Sequence, residues 1–302
     1  MKNIGLVSVA MATCNGEKFL EEQVRSILSQ THGHLELVIS DDASTDGTLE
    51  IALGFQSNHG NVRVFSNDEN LGVTANFERA IGHCRGSYVA IADQDDIWKP
   101  EKINRLLHAI GDADAAYSDS ELINEMGNLT GKRFGDFTSM KTYRCGSPFL
   151  LSNCVPGHAM LVRKDALLRA MPFPRHIIYD KWISYCVAAN NGVVYLNESL
   201  VLYRQHEGNM FGLNKGKGPR RQTVLDRFED RKSQVHSYLG ADIIDRATKC
   251  DTELMALTFR KGFSIPRFLF FVRRGRVLLS AKKKPFYRKV FYVIKMLFKP
   301  AY

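Results

Sequence analysis

Three carboxylates lie within four residues, at Asp93, Asp95 and Asp96, directly after the apolar segment 88–92. Carboxylates this close repel one another unless a cation or hydrogen-bond donors lie between them. Hard divalent ions such as Mg2+ and Mn2+ take carboxylate oxygens as ligands and also bridge phosphate groups. The acidic segment therefore predicts a site that holds a metal ion against a diphosphate. A solvated acidic loop or a helix cap is the alternative.

A second acidic segment, 41–47, follows the apolar run 35–40. A carboxylate at Asp42 can accept a hydrogen bond from the N3–H of a uracil or thymine ring. The alternative is ordinary capping of the next helix by an Asp or by the hydroxyl of Ser44 or Thr45. Both interpretations can hold together, with Asp42 on a pyrimidine base and Ser44 or Thr45 at the cap.

These acidic segments need elements that bring them together, and the first 120 residues predict such elements. Apolar runs at 4–12, 35–40, 62–65, 87–92 and 113–117 alternate with segments of helical spacing. This rhythm predicts a parallel sheet covered by helices on both faces. Ligands of such sheets bind at the carboxyl ends of the strands. Asn15, Asp42 and the segment 93–96 each follow a predicted strand, so we expect them to converge on one edge.

Five motifs occur in an order that resembles one enzyme family. They are Met11-Ala12-Thr13-Cys14-Asn15-Gly16-Glu17, Ser29-Gln30-Thr31, Asp41-Asp42-Ala43-Ser44-Thr45-Asp46-Gly47-Thr48, Asn70-Leu71-Gly72 and Asp93-Gln94-Asp95-Asp96-Ile97-Trp98. Together they resemble the family 2 glycosyltransferases, and within them the bacterial rhamnosyltransferase-like subgroup of O-antigen and capsule assembly. The resemblance covers roughly residues 4–210. It implies an α/β fold of the GT-A type, in which helices flank a Rossmann-like mixed sheet.

The resemblance also implies a role for individual residues. Asp42 matches the carboxylate that contacts the pyrimidine base, and Asp93 matches the position that faces the ribose and the metal. Asp95 matches the metal-binding aspartate. The nucleotide-sugar-binding residues implied in this way are Ala12, Thr13, Asn15, Asp42, Asn70, Asp93 and Gln94.

Catalysis is implied at two later positions. Asp180, within Tyr179-Asp180-Lys181-Trp182, best matches the family's catalytic base, and His206 resembles a histidine near the donor diphosphate or metal. The implied reaction is inverting glycosyl transfer, in which Asp180 takes a proton from the acceptor hydroxyl. Mn2+ or Mg2+ on Asp95 and His206 would neutralise the charge that grows on the leaving diphosphate. A helix N-cap is the alternative for Asp180, and a structural histidine is the alternative for His206.

Two positions depart from the family pattern. Cys14 stands where the family usually has Tyr, which removes aromatic packing beside the base. Ala75 replaces a Lys that close relatives often carry, which removes a phosphate contact.

Other candidate residues carry weaker signals. Cys145, Cys154 and His158 lack the paired short spacing of a zinc site and are predicted to lie in the core or in loops. Trp98 and Trp182 each follow a proposed site carboxylate, where they can stack on a sugar or anchor the packing.

The C-terminal segment has a distinct charge. Of the 41 Lys and Arg residues, 13 lie in 254–302, which contains no Asp or Glu. The preceding 253 residues carry 28 basic and 32 acidic side chains. Two segments, 265–280 and 286–298, combine basic and large apolar residues, which is typical of helices that lie on an anionic membrane surface. Packing on the catalytic domain or on a second subunit is the alternative.

These observations predict a glycosyltransferase domain at 1–212 and a basic, membrane-associating helical extension at 213–302. The predicted partners are a UDP- or dTDP-linked sugar donor, a lipid-linked saccharide acceptor and the anionic inner face of the bacterial cytoplasmic membrane. No nucleic acid is expected as a partner, and a homo-oligomer is left open. The six cysteines include no CxxC pair, and no apolar run approaches the roughly 20 residues that a membrane-spanning helix needs.

Two other functions compete with this interpretation. A sugar nucleotidyltransferase would usually place a Gly-rich loop with Arg and Lys after the first strand, whereas 12–17 has a single Gly and no basic cluster. A non-catalytic nucleic-acid-binding protein could use the basic tail, but the acidic segments would repel phosphates.

Overall fold

The computed structural model describes residues 5–207, 233–234, 236–241, 245–257 and 265–283. The strands in these ranges are β1 (Val7–Thr13), β2 (Leu35–Asp41), β3 (Val62–Ser66), β4 (Tyr88–Ala92), β5 (Ile97–Trp98), β6 (Ala115–Asn124), β7 (Leu129–Arg133), β8 (Met160–Arg163) and β9 (Val193–Gln205). The helices are α1 (Glu17–Leu28), α2 (Thr48–Asn58), α3 (Val73–His83), α4 (Lys102–Ile110), α5 (Lys164–Ala170), α6 (Tyr179–Ala189), α7 (Arg246–Leu257) and α8 (Ile265–Leu278). Single 3-10 turns lie at Phe134–Asp136, Ser147–Leu150 and Gly157–Ala159.

All nine strands belong to one mixed sheet in the order β3-β2-β1-β4-β8-β6-β9-β5, with β7 paired to β6. The first four strands of that order are parallel, whereas β8 runs antiparallel to both β4 and β6. β9 is parallel to β6, and β5 is antiparallel to β9. The mixed sheet expected from the family resemblance is therefore confirmed.

The strands in the parallel half of the sheet are apolar because they are buried on both faces. β1, β2 and β4 are buried along nearly their whole length. A strand covered on both faces reads as a continuous apolar run, and these strands match the predicted ones closely. One apolar cluster includes Leu20, Val24 and Ile27 of α1, and a second includes residues of α3 and α6. The prediction that helices cover both faces is confirmed.

The second half of the sheet was predicted less well. The strand expected at 113–117 continues to Asn124, and the exposed strand β7 follows it. The part of β6 beyond Tyr117 carries polar residues, so its pattern is not that of an apolar run. β9 is a long strand of 13 residues, and its pairing with β6 is irregular around Asp119.

The described part of the C-terminal extension packs on the rest of the chain. The guanidinium of Arg274 on α8 donates to Asp251 on α7 at 2.7 Å, and Asp251 accepts a hydrogen bond of 2.6 Å from the Ser147 hydroxyl. Thr248 Oγ1 accepts the N–H of Gly146 at 2.8 Å. The first predicted tail segment is thus a helix with a partner, while the second, 286–298, lies outside the described residues. Within the described ranges, every helix is too short or too polar to cross a bilayer.

Candidate active site

Three strand ends bring the predicted acidic segments to one edge of the sheet. β1 pairs with β2 through Thr13 and Asp41, and with β4 through Met11 and Ala92, so all three strands end side by side. The Gln94 side chain accepts the N–H of Cys14 at 2.8 Å and donates to the Cys14 carbonyl at 3.1 Å. The loop after β1 is therefore joined to the segment 93–96, hereafter the acidic turn.

Asp42 organises the loop after β3. Its carboxylate accepts hydrogen bonds from the Asn67 amide at 2.7 Å, the Leu71 N–H at 2.8 Å and the Gly72 N–H at 2.9 Å. Only 2% of Asp42 is exposed. A carboxylate has about four acceptor sites, so one is left after these three bonds. The contact of Asp42 with a pyrimidine base stays a prediction.

Asn15, on the loop after β1, and Asn70, on the loop after β3, lie close to Asp42 and the segment that follows it. Asn15 has a φ of 49°, and its side-chain oxygen accepts the N–H of Thr45 at 2.8 Å. The Asn70 amide lies 3.4 Å from Cys14 Sγ and 3.3 Å from the carbonyl oxygen of Asp42. The residues after β1, β2 and β3 thus form one continuous surface.

Asp95 and His206 are in direct contact although 111 residues separate them. His206 Nε2 lies 2.8 Å from Asp95 Oδ2. Arg204, at the end of β9, places His206 there, because its N–H donates to Asp96 Oδ1 at 3.0 Å and its Nε donates to the Asp95 carbonyl at 2.9 Å. The two residues predicted to hold a metal therefore lie together, with Asp95 on the acidic turn and His206 beside it at the end of β9.

Asp96 is the buried member of the acidic turn. Its Oδ2 has no hydrogen-bond partner among the described residues. Burial, followed by the charges of Asp95 and Asp93, holds the pKa of Asp96 well above its usual range. The buried ammonium of Lys102 donates to the His158 carbonyl at 2.5 Å, and burial holds the pKa of Lys102 well below its usual range.

Asp180 lies in the first turn of α6, one residue after a hydroxyl that reaches the acidic turn. Tyr179 donates to Asp93 Oδ1 at 3.1 Å. Burial and the charge of Asp93 raise the pKa of Asp180 to about 7, against the lowering effect of N–H groups from Lys181 and Gly157. The helix N-cap is Ile178, not Asp180. A carboxyl group with a pKa near neutrality is suited to accept a proton.

A sequence model described as glycosyl transferase family 2 matches residues 8–169, more than half of the 302 residues. The chain belongs to glycosyl transferase family 2. The resemblance found in its motifs is confirmed, and the protein is a glycosyltransferase.

Curated relatives of this glycosyltransferase include bacterial proteins named as glycosyltransferases. The dTDP-rhamnosyl transferase RfbG of Shigella flexneri is 30% identical over 221 residues, which cover 68% of this chain and 74% of RfbG. The putative teichuronic acid biosynthesis glycosyltransferase TuaG of Bacillus subtilis is 35% identical over 113 residues, 37% of this chain. That match spans 45% of the length of TuaG.

Solved structures show the same fold at low identity. The S. aureus TarS 1-349 structure in complex with UDP-GlcNAc has a TM-score of 0.62 and 19% identity, over 97% of this chain and 81% of the other. Mannosyltransferase PcManGT from Pyrobaculum calidifontis, in complex with GDP-Man and Mn2+, has a TM-score of 0.54 and 16% identity, over 99% and 82%. The GT-A fold predicted for this glycosyltransferase is confirmed.

His158 was predicted to lie in the core or in a loop, and it does lie buried in a 3-10 turn, but the sequence analysis did not place it at this site. Its Nδ1 lies 3.7 Å from Asp93 Oδ2 and 3.9 Å from Asp96 Oδ2. His158 stands more than 60 residues after the acidic turn, so no spacing links them. It reaches the turn because β8, which follows it, pairs with β4. Cys154 does not join this group, because its thiol contacts the Tyr143 hydroxyl at 3.1 Å.

Two further expectations are decided by burial and contacts. Trp98 and Trp182 are both buried, and the Trp182 indole N–H donates to the Ala170 carbonyl at 2.7 Å, so both anchor the packing.

The prediction that Ser44 or Thr45 caps α2 was wrong. The Ser44 hydroxyl donates to Asp41 instead, and Asp46 accepts the first N–H of α2, from Thr48.

Proposed function

We propose that this glycosyltransferase transfers a sugar, with inversion, from a nucleoside diphosphate donor to a lipid-linked saccharide in cell-surface polysaccharide synthesis. The observation that carries the proposal is the approach of α6 to the acidic turn through the hydrogen bond from Tyr179 to Asp93. A carboxyl group able to accept a proton thereby lies beside carboxylates able to hold a metal-bound diphosphate. The names of RfbG and TuaG, which refer to dTDP-rhamnose and to teichuronic acid, support this class of reaction.

The donor site we propose is the surface formed after β1, β2 and β3. Asp42 would use its remaining acceptor site on the N3–H of uracil or thymine, with Ala12, Thr13, Asn15, Asn70 and Gln94 around the nucleotide. Cys14 lies against the Asp42 carbonyl, its Sγ 3.6 Å from that oxygen, so a thiol takes the place of the family's aromatic ring beside the base. Asp93 would face the ribose.

The metal we propose at Asp95 and His206 is Mn2+ or Mg2+. Adjacent ligands of an octahedral divalent ion lie about 3 Å apart. The 2.8 Å between Asp95 Oδ2 and His206 Nε2 is close to that value, so the pair fits a shared ion. Imidazole suits transition metals better than Mg2+, which favours Mn2+. When bound, the ion would neutralise negative charge on the leaving diphosphate.

Asp180 is the base in this proposal. Its Oδ1 has no hydrogen-bond partner among the residues that the structure describes, which leaves that oxygen able to accept a proton. The carboxyl would take the proton of the acceptor hydroxyl as that oxygen attacks the anomeric carbon from the face opposite the diphosphate. Burial of the carboxyl excludes water, which strengthens its interaction with the acceptor.

Nucleotide binding tests the proposal most directly. With Mn2+ present, we expect UDP or dTDP to raise the melting temperature more than GDP or CDP does. A ligand at 100 times its Kd stabilises a protein by about 2.7 kcal/mol, or roughly 5–10 °C for a domain of this size. Differential scanning fluorimetry would measure the shifts. A largest shift with GDP would contradict the pyrimidine assignment, and no shift with any nucleotide would contradict the transferase proposal.

We also propose that the extension, from about residue 213, binds the anionic inner face of the cytoplasmic membrane. Leu269, Val272, Arg273 and Arg276 share one face of α8, because residues three and four apart are neighbours on a helix. Leu269 is 43% exposed and Val272 is 62% exposed. Phe270 and Leu278 are buried on the other face. An outward face of apolar and basic residues fits an anionic lipid surface.

Val272→Glu is expected to weaken binding of the full chain to phosphatidylglycerol-containing vesicles by about tenfold or more, because it places a negative charge in the outward face of α8. Co-sedimentation at low and high salt measures the effect. Leu168→Glu is the matched control, since Leu168 on α5 is 51% exposed and lies outside the extension. Equal loss in both variants, or no loss in either, would reject this face as the membrane contact.

A further inference from the structure

The 3-10 turn Gly157–Ala159, hereafter the 157–159 turn, contacts both the acidic turn and α6, the helix that carries the proposed base Asp180. It leads into β8, whose Leu161 pairs with Ala90 of β4 and whose Met160 pairs with Tyr117 of β6. These pairings place the turn beside the carboxyl end of β4, where the acidic turn begins. The transfer reaction proposed above assigns no role to Gly157, His158 or Ala159.

Gly157 faces α6. Its N–H is near enough to the Asp180 carboxyl group to lower the pKa of that group, against the raising effect of burial. A Cβ atom built on Gly157 would lie only 2.4 Å from the Tyr179 hydroxyl and 2.7 Å from the tyrosine ring. The ring therefore occupies the space that any other residue at position 157 would need. Tyr179 itself is buried and donates to Asp93.

His158 faces the acidic turn. Its ring is stacked on Tyr203, with centroids 4.3 Å apart, and its Nε2 lies 2.9 Å from the Ser120 hydroxyl. When Ser120 donates to Nε2, the neutral ring carries its proton on Nδ1, the atom that faces the carboxylates of Asp93 and Asp96. The ring is 3% exposed, so packing holds it in this orientation.

We propose that the 157–159 turn is a positioning element that sets the distance between the base and the donor-binding acidic turn. Gly157 acts through Asp180 and Tyr179, and His158 acts through Asp93 and Asp96. This role rests on the proposed transfer reaction, because Gly157 and His158 are assigned a function only through the carboxylates that take part in that reaction. A displacement of about 1 Å between reacting groups can cost about 100-fold in rate.

The test uses the full chain with Mn2+ and measures hydrolysis of UDP-glucose and dTDP-rhamnose, in which water serves as the acceptor. We expect Gly157→Ala and His158→Phe each to lower kcat about 100-fold while the KM for the donor changes less than threefold. His158→Phe keeps a ring that can stack on Tyr203. His158→Gln, which retains an N–H donor, should recover part of the lost kcat.

Several results would overturn the proposal. An unchanged kcat in His158→Phe, or an equal loss of kcat in His158→Gln and His158→Phe, would leave the turn with a structural role only. Titration of Mn2+ by electron paramagnetic resonance should show the same stoichiometry in wild type and His158→Phe; loss of one ion would instead make His158 a ligand. If the wild type neither binds nucleotides nor hydrolyses donors, the proposed function fails first, and the two failures are distinguishable.

Discussion

Asp180→Asn is expected to lower turnover by about 10²–10⁴-fold and to leave the melting-temperature shift by nucleotide and Mn2+ unchanged. The carboxamide has nearly the shape of the carboxyl group but cannot take the acceptor proton, and general base catalysis contributes rate factors of this size. Steady-state kinetics with a glycan acceptor extract, together with nucleotide-dependent melting, separates chemistry from binding. Asp112→Asn, a change at an exposed loop carboxylate, is the matched control.

The pH dependence of the wild type bears on the same residue. Because burial raises the pKa of Asp180 to about 7, kcat/KM should rise as the pH increases through 7. The stability effect has the opposite sign. A carboxyl group with a raised pKa in the folded state favours folding at low pH, and that contribution is lost between about pH 4 and 7. Asp180→Asn should therefore melt at a higher temperature than the wild type at pH 8. Turnover that survives in Asp180→Asn would show that another group is the base.

Asp95→Asn is expected to abolish the Mn2+ dependence of nucleotide binding and to lower turnover by about 10³-fold. A bound divalent ion supplies several kcal/mol of charge stabilisation to a leaving diphosphate, and each 1.36 kcal/mol is a factor of ten in rate. His206→Ala should also lower Mn2+ affinity and turnover, because His206 contacts Asp95 Oδ2, the oxygen proposed to bind the ion. Mn2+ affinity measured by electron paramagnetic resonance is the readout that does not depend on activity.

Asp68→Asn is the control for that experiment, because Asp68 is an exposed carboxylate on the loop after β3. It should leave both Mn2+ affinity and turnover unchanged. Nucleotide stabilisation that is equal with and without Mn2+ in the wild type would contradict the metal assignment. Loss of Mn2+ binding in Asp95→Asn but not in His206→Ala would remove His206 from the ligand set.

The parallel half of the sheet and the residues proposed to bind the donor could be predicted from short apolar runs and the polar residues that follow them. β1, β2 and β4 are apolar because helices cover both faces, and each is followed by polar residues where the chain leaves the sheet. The convergence of Asn15, Asp42 and the acidic turn then follows from parallel pairing alone. By contrast, the polar part of β6, the exposed β7 and the four-residue β8 carry no period that would have identified them.

Local sequence thus determined which strand ends carry the acidic groups, because burial on two faces and the residue that follows each strand are both encoded within a few positions. The tertiary structure alone decided that Tyr179 meets Asp93 and that His158 lies between Asp93 and Asp96, whereas a shared role for Asp95 and His206 was already implied by the family motifs. The position of His158 depends on the pairing of β8 with β4, a strand far away in sequence, and the position of Tyr179 depends on the packing of α6. Such pairing is set by the packing of the whole sheet, and no short segment contains that information.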